Sequence, residues 1–225
     1  MPKLTGLIAA TYTPFHADGS LNTKPIPEYV DFLLNSGVSG LYVCGSTGEG
    51  VSLTGDERRV LAEAFVKAAA GRVPVIVQVG HNCLREAREL ATHAADIGAD
   101  VISATCPFYF KPASVDLLIA SMAEVAAGGP NLPFYYYHIP SMTGVNLNMT
   151  EFLSKAADSI PNLAGLKFTS TTVHEFQSCL SIDNGRFDIL WGCDEMLLSR
   201  SGHRGSGRQH IQHRRSVVPH ADRRV

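Results

Sequence analysis

Short β-branched or aromatic runs recur along the chain at intervals of roughly 25 to 36 residues, which is the spacing of repeated βα units. The runs begin near Leu4, Gly40, Val73, Val101, Phe134, Leu163 and Asp188. Strands that alternate with helices build a parallel sheet. The pattern therefore predicts seven parallel strands with helices between them.

The segments between these runs have the periodicity of amphipathic helices, most clearly from Asp56 to Gly71. One face of that helix carries Val60, Leu61, Ala64 and Ala68. Thr54, followed by Glu57 three residues later, forms the capping box that marks a helix start. This face is expected to pack on the sheet.

The composition fits one globular domain. The chain has 225 residues, of which 45% are hydrophobic and 18% charged, enough for a sizeable core. Its five cysteines form no CxxC pair and no metal spacing, and they predict reduced thiols in a cytoplasmic protein. The histidines also lack ligand spacing, so no metal is expected. No segment reaches the length of a membrane span, and the apolar residues 7–10 are interpreted as the first strand.

Lys167 lies inside an apolar, strand-like run, Leu163–Phe168, with no acidic residue beside it in the sequence. Burial disfavours the ammonium form and so lowers the pKa of a lysine. A neutral amine can attack a carbonyl carbon and form a Schiff base. The alternative is a lysine at a strand end whose amine reaches the solvent.

A glycine-rich turn follows the second strand at residues 45–50, with the sequence GSTGEG. Such a turn can direct backbone N–H groups and the hydroxyls of Ser46 and Thr47 at an anion, for example a substrate carboxylate. The same residue types also form ordinary loops. The turn is therefore a candidate carboxylate site only together with other signals.

Three consecutive tyrosines end the fifth strand, in the sequence YYYHIP at residues 135–140. The two-residue period of a strand places Tyr135 and Tyr137 on one face and Tyr136 on the other. Tyrosines at such positions serve packing more often than catalysis. Tyr137 lies nearer the carboxyl end of the strand, where barrel enzymes place their chemistry.

Four segments, in this order, resemble the dihydrodipicolinate synthase family and, within it, the N-acetylneuraminate lyase branch. They are GSTGEG at 45–50, YYYHIP at 135–140, GLKFTS at 165–170 and GCDEM at 192–196. The resemblance extends from Leu4 to about Leu198. Members of this family are pyruvate-handling class I aldolases. The resemblance implies an α/β fold of the (β/α)8 TIM-barrel type, with strands 1 to 7 in residues 1–199, and an assembly that is commonly a tetramer.

The resemblance also implies a role for each matching position. Lys167 corresponds to the Schiff-base lysine, and Tyr137 to the proton-transferring tyrosine. Ser46 and Thr47 correspond to the residues that bind the pyruvate carboxylate, and Thr169 shares the face of Lys167 and is expected to line the pocket. The loop that contacts the sugar in the lyases corresponds to Gly192, Asp194 and Glu195. The implied reaction is cleavage of N-acetylneuraminate to N-acetylmannosamine and pyruvate without a cofactor.

Dihydrodipicolinate synthase itself is the alternative within the family. That branch generally carries an arginine after the proline of the fifth strand, where it holds the carboxylate of a second substrate. Residues 141–144 read SMTG in this chain, with no arginine to form that bidentate pair. This segment favours the lyase, while other pyruvate-dependent aldolases remain open.

The last residues of the chain differ from the rest in charge. Residues 200–225 contain seven arginines, four histidines and one acidic residue, whereas residues 1–199 contain 12 basic and 20 acidic residues. A basic tail can bind nucleic acid or an anionic membrane. No aromatic residue stands among these arginines to stack on bases, so no nucleic-acid partner is expected.

Residues 200–225 show neither helical nor strand periodicity, so we expect a disordered tail and a barrel without its eighth βα unit and closing helices. Permitted codons for residues 200–207, read one base later, can spell ALGTGAVG, and those for residues 209–215 can spell STYNIAG. These strings are similar to the glycine-rich strand end of the family. The tail is therefore expected to be out of frame, and the chain inactive or weakly active. A non-catalytic product of a lyase gene is the alternative outside the enzyme class.

Overall fold

Eight parallel strands form a closed barrel in chain order in the computed structural model, which describes residues 3–196 and 210–213. The strands are β1 Gly6–Ala10, β2 Gly40–Val43, β3 Val75–Gln78, β4 Val101–Ala104, β5 Phe134–His138, β6 Leu163–Phe168, β7 Asp188–Trp191 and β8 His210–His213. The predicted (β/α)8 barrel is confirmed. The seven expected strands all begin at or close to the positions that the hydrophobic pattern indicated.

The eighth strand closes the sheet. β8 pairs with β1 from Gly6↔His210 to Ala9↔His213, and with β7 at Trp191↔Ile211. We expected residues 200–225 to supply no strand, and for His210–His213 that prediction is wrong. Ladder hydrogen bonds join backbone groups, so the edges of β1 and β7 can pair with a segment that lacks strand periodicity in its side chains. The remainder of the expected tail, residues 200–209 and 214–225, lies outside the described residues.

Helices surround the strands on the outside of the barrel. They are α1 Ile26–Asn35, α2 Gly55–Ala69, α3 Leu84–Asp96, α4 Val115–Ala126, α5 Pro140–Thr143, α6 Met149–Ala156 and α7 Val173–Ser181. Short 3-10 turns occupy Gly50–Ser52, Ile182–Gly185 and Asp194–Met196. The order of strand and helix is the one that the sequence pattern predicted.

Helix α2 begins with the predicted capping box. The Thr54 hydroxyl accepts a hydrogen bond from the Glu57 amide at 3.2 Å, and the Glu57 carboxylate accepts one from the Thr54 amide at 2.8 Å. The predicted buried face is wrong at Val60, which is 48% exposed. The buried positions are Arg58, Leu61, Ala62, Phe65 and Ala69. Arg58, which is hydrogen-bonded inside the protein, belongs to the buried face of α2. With Arg58 on the buried face, Val60 faces the solvent.

The core has two layers, one between the strands and the helices and one inside the barrel. The inner layer comprises Ile8, Tyr42, Ile76, Val101, Tyr135, Tyr137, Ile139 and Leu190. The predicted alternation of the tyrosines is confirmed, because Tyr136 faces outwards and packs against Phe152 with ring centroids 5.0 Å apart. Aromatic side chains of β5 thus serve both layers.

Hydrogen bonds around Asp188 fill the amino-terminal end of the barrel. Its Oδ2 atom accepts from the Tyr135 hydroxyl at 2.8 Å and from the Leu4 amide at 3.0 Å. Burial raises the pKa of Tyr135 above its ordinary value, so the phenol stays protonated and acts as donor. Tyr135 therefore has a structural role at this end, and the opposite end is where the strand termini leave room for chemistry.

Candidate active site

Lys167 lies on β6 with its side chain directed into the barrel. The residue is 3% exposed, which excludes the alternative of an amine that reaches the solvent. Its Nζ atom is 3.7 Å from the ring centroid of Tyr137 and 3.7 Å from that of Tyr42. In the sheet, Lys167 pairs with Tyr137 on β5 and with Leu190 on β7. The strand register thus places the amine and the phenol next to each other.

The phenol of Tyr137 links the lysine to the turn after β2. Its oxygen is 3.5 Å from the Ser46 hydroxyl, across 91 residues of sequence. Burial by itself raises the pKa of this phenol. The positive charge of Lys167 and the hydroxyls of Ser46 and Thr169 outweigh burial, so the pKa of Tyr137 lies below its ordinary value. A lowered pKa raises the fraction of Tyr137 that is phenolate near neutral pH, and the phenolate is the form that accepts a substrate proton.

The turn after β2 is held in shape by its own backbone. The amides of Gly48 and Gly50 donate to the Gly45 carbonyl, and the Glu49 amide donates to the Ser46 carbonyl. Within the described part of the chain, the amides of Ser46 and Thr47 donate to no acceptor. Two adjacent N–H groups of this kind, together with two hydroxyls, can receive a carboxylate.

Close packing requires glycine in this turn. A side chain at Gly50 would overlap the carbonyl of Cys44, and one at Gly48 would meet the carbonyl of Thr11. Cys44 itself has a φ of 58°, in the left-handed region that a residue with a side chain rarely adopts. The chain bends sharply at the end of β2, and this bend turns Ser46 towards Tyr137.

Thr169 and Gly192 meet at the carboxyl ends of β6 and β7. The Thr169 amide donates to the His138 carbonyl at 2.8 Å, and the Gly192 amide donates to the Phe168 carbonyl at 2.9 Å. A side chain at Gly192 would overlap the Thr169 hydroxyl. Glycine is therefore required at position 192, because Thr169 occupies the place that a side chain would take.

Asp194 and Glu195 follow in the 3-10 turn after β7. Asp194 is partly buried and Glu195 is exposed. The turn is anchored by the Trp191 indole, which donates to the Cys193 carbonyl at 2.5 Å. The structure thus groups Lys167, Tyr137, Ser46 and Thr169 by direct contact, and places the two carboxylates in the neighbouring loop.

Neither a metal site nor a membrane-spanning helix is found in residues 3–196 and 210–213. No three His, Cys, Asp or Glu side chains there lie close enough together to hold a metal ion. In the same residues, no helix has the length and apolar character needed to cross a membrane.

Comparison with known proteins identifies the family. The sequence profile of the dihydrodipicolinate synthetase family matches residues 3–212. The chain belongs to this family.

Individual relatives match most of this chain. N-acetylneuraminate lyase A from Xenopus laevis is 46% identical over 198 residues, which are 87% of this chain and 65% of the relative. N-acetylneuraminate lyase from Homo sapiens is 47% identical over 202 residues, 88% of this chain and 62% of the relative. The chain therefore spans just under two thirds of the length of these curated relatives.

A solved structure resembles the whole described barrel. The N-acetylneuraminate lyase (sialic acid aldolase) from Aliivibrio salmonicida superposes with a TM-score of 0.90 at 42% identity, covering 94% of this chain and 70% of that chain. In this chain the four motif segments lie at the carboxyl ends of β2, β5, β6 and β7.

Sequence reasoning missed Tyr42, whose ring contacts the lysine amine. The residue is 1% exposed and belongs to the inner layer, whereas its strand neighbours Leu41 and Val43 face the helices. The available signal was a single tyrosine in an otherwise aliphatic strand that leads into the GSTGEG turn. Alternation alone would have placed this ring inside the barrel.

A second missed residue is Arg58, which lies behind the turn and is 2% exposed. Its Nη2 atom donates to the Gln78 carbonyl at 2.6 Å and to Gln78 Oε1 at 2.7 Å, and Nη1 donates to the Gly80 carbonyl at 3.0 Å. Its own carbonyl accepts from the Cys44 thiol at 3.8 Å, and burial raises the pKa of that thiol to about 11. Arg58 thus ties α2 to the ends of β2 and β3, on either side of the turn.

Proposed function

We propose that this chain is an N-acetylneuraminate lyase that cleaves sialic acid to N-acetylmannosamine and pyruvate through a Schiff base on Lys167. The observation that carries the proposal is the buried amine of Lys167 in contact with Tyr137, whose phenol reaches Ser46 in the anion-binding turn. Relatives named N-acetylneuraminate lyase support the choice of substrate.

The first half of the reaction forms the imine. The Lys167 amine attacks the keto carbon of the open-chain sugar acid, and the resulting carbinolamine loses water to give a protonated imine. The carboxylate next to that carbon is received by the amides and hydroxyls of Ser46 and Thr47. The turn thereby fixes the keto carbon against the amine.

The second half breaks the carbon–carbon bond. Tyr137 accepts the proton of the substrate hydroxyl, the bond between the hydroxyl-bearing carbon and the carbon next to the imine breaks, and its electron pair moves into the protonated imine. N-acetylmannosamine leaves as the aldehyde. The remaining enamine takes up a proton at carbon, and water then releases pyruvate and the free amine of Lys167.

The loop after β7 is assigned to the sugar chain. Thr169 and Gly192 border the pocket, and Asp194 with Glu195 offers carboxylates to sugar hydroxyls. Acceptors at this place suit a polyhydroxylated substrate. They offer nothing to the second carboxylate that dihydrodipicolinate synthesis requires.

Assembly and location are further parts of the proposal. We assign a homotetramer by resemblance to the family, to be measured by light scattering. A cytoplasmic location is supported by the five cysteines, all of which are free thiols.

Pyruvate release tests the function. The full chain should release pyruvate from N-acetylneuraminate at a low rate, since residues 200–225 are expected to be out of frame, and Lys167→Met should abolish the release. Lys67→Met, on the exposed side of α2, is the matched control and should retain it. Release of pyruvate from other 2-keto sugar acids but not from N-acetylneuraminate, or condensation of pyruvate with aspartate semialdehyde, would assign a different aldolase. Equal activity of the two lysine variants would contradict the proposal.

A further inference from the structure

The ring of Tyr42 lies against the reacting nitrogen, beside the ring of Tyr137. Nζ of Lys167 is 3.7 Å from the centroid of Tyr42 and 3.7 Å from that of Tyr137. The two rings are 5.7 Å apart at an interplanar angle of 76°. The nitrogen therefore has the face of an aromatic ring on two sides, one supplied by β2 and one by β5.

The hydroxyl of Tyr42 is engaged in a hydrogen bond to β4. The hydroxyl donates to Ser103 Oγ at 3.0 Å, and Ser103 in turn donates to the Tyr135 carbonyl at 2.9 Å. Burial raises the pKa of Tyr42 well above its ordinary value, so the phenol remains neutral. Its hydrogen bond points to β4, and the part of the side chain offered to the amine is the ring face.

An aromatic face attracts a cation because its quadrupole is negative above the ring. Overall, imine formation converts an ammonium and a ketone into an iminium and a water molecule. The nitrogen therefore carries one positive charge both before and after this step. Cleavage needs that charge, because only the protonated imine accepts the electron pair of the breaking bond. A neutral imine would leave the bond intact.

We propose that Tyr42 is a further catalytic residue, whose ring face stabilises the positive charge on the lysine nitrogen and keeps the imine protonated through the cleavage step. The inference rests on the proposed Schiff-base function of Lys167. It gives Tyr42 a role distinct from that of Tyr137, which moves the substrate proton through its hydroxyl.

The test varies the charge of the ring face at constant shape. Phe and pentafluorophenylalanine are placed at position 42 of the full chain, since fluorination reverses the quadrupole and both residues lack the hydroxyl. The first readout is the NMR titration of the labelled Cε carbon of Lys167 without substrate. The fluorinated ring should lower the titration midpoint by about one unit relative to Phe, the size of a desolvated cation–π contact.

The second readout is the pH dependence of turnover. The alkaline limb of kcat should move to lower pH with the fluorinated ring and not with Phe, because the imine then loses its proton earlier. Ser103→Ala, which removes only the partner of the Tyr42 hydroxyl, should lower stability and leave both midpoints in place.

The outcomes separate this inference from the proposed function. Equal titration midpoints for Phe and the fluorinated ring in the free chain would overturn the role of Tyr42, whatever the activity. Failure of the unsubstituted chain to form a pyruvate adduct would instead overturn the Schiff-base function. A midpoint shift in the free chain together with a shifted alkaline limb supports the inference.

Discussion

Tyr137 and Lys167 are in contact, yet their proposed roles belong to different steps. Tyr137→Phe keeps the ring face over Nζ and removes the phenol that accepts the substrate proton. We expect turnover to fall by about 10² to 10⁴, the usual contribution of a positioned acid or base, while the imine with pyruvate still forms. Parallel measurement of kcat and of the trapped adduct checks this. Equal loss of both steps would assign Tyr137 to imine formation instead.

His138 makes the stability of the fold depend on pH. It is fully buried between Tyr136 and Phe168, and neither ring nitrogen has a hydrogen-bond partner in the described part of the chain. Burial lowers the pKa of His138 from 6.5 to about 4, an effect that Glu175 only partly opposes. Between these values the unfolded chain binds a proton that the folded chain does not, so stability falls as the pH falls from about 6.5 to 4.

The expected loss is up to about 3 kcal/mol of unfolding free energy, from the shift at 1.36 kcal/mol per unit. Urea denaturation at a series of pH values measures it. His138→Phe should flatten the curve in this window, whereas His174→Gln, on an exposed position, should not. An unchanged slope in His138→Phe would show that another group carries the dependence.

At the scale of single residues, the sequence predicted those residues that differ in type from their sequence neighbours. Lys167 stands out as a charge in an apolar strand, and the turn stands out by its glycines. Tyr42 and Arg58 did not, because their roles arise from contacts with residues far away in sequence. Arg58 reads as one more exposed charge on a helix until its carbonyl partners are seen.

At the scale of elements, Arg58 ties α2 to β3 and to Cys44, next to the turn that is proposed to bind the substrate carboxylate. Arg58→Met should lower the unfolding free energy by about 3 kcal/mol, because the carbonyls of Gln78 and Gly80 lose their donor inside the protein. We also expect a higher KM, since the turn is no longer held to β3. Chemical denaturation and steady-state kinetics measure the two effects.

Arg59→Met is the matched control on the same helix. Arg59 forms partly exposed ion pairs with Asp56 and Glu86, at 3.3 and 3.1 Å. Pairs of this kind contribute less than about 1 kcal/mol. Equal losses in the two variants would contradict the supporting role of Arg58.

The elements themselves could be predicted because local rules fix them. The capping box sets the start of α2, and the apolar runs set the strands. The orientation of α2 could not be predicted fully, since a buried arginine breaks the rule that charges face the solvent. Val60 was assigned to the wrong side for this reason.

At the scale of the whole molecule, closure of the barrel depends on four residues. A chain that ends at residue 209 lacks β8 and leaves β1 and β7 with unpaired edges, whereas a chain that ends at residue 213 keeps the pairs. We expect the shorter chain to melt at lower temperature and to aggregate, because open edges expose backbone groups. Calorimetry of the two chains decides. Identical melting would show that β8 does not stabilise the barrel.

The repeat of βα units in the sequence predicted the global fold. It did not predict that an eighth strand closes the barrel. Residues 210–213 pair with β1 through their backbone, and their sequence has no hydrophobic pattern that would predict a strand. The proposal that residues 200–225 are out of frame remains a separate question, which the coding nucleotides answer. A shifted frame without a helix-forming, family-like continuation would refute it.

The most direct test of the central claim is the position of the covalent intermediate. The full chain is incubated with pyruvate and borohydride, digested, and analysed by mass spectrometry. We expect one reduced adduct, on Lys167, and none in Lys167→Met. An adduct on another lysine, or no adduct at all in a folded chain, would contradict it.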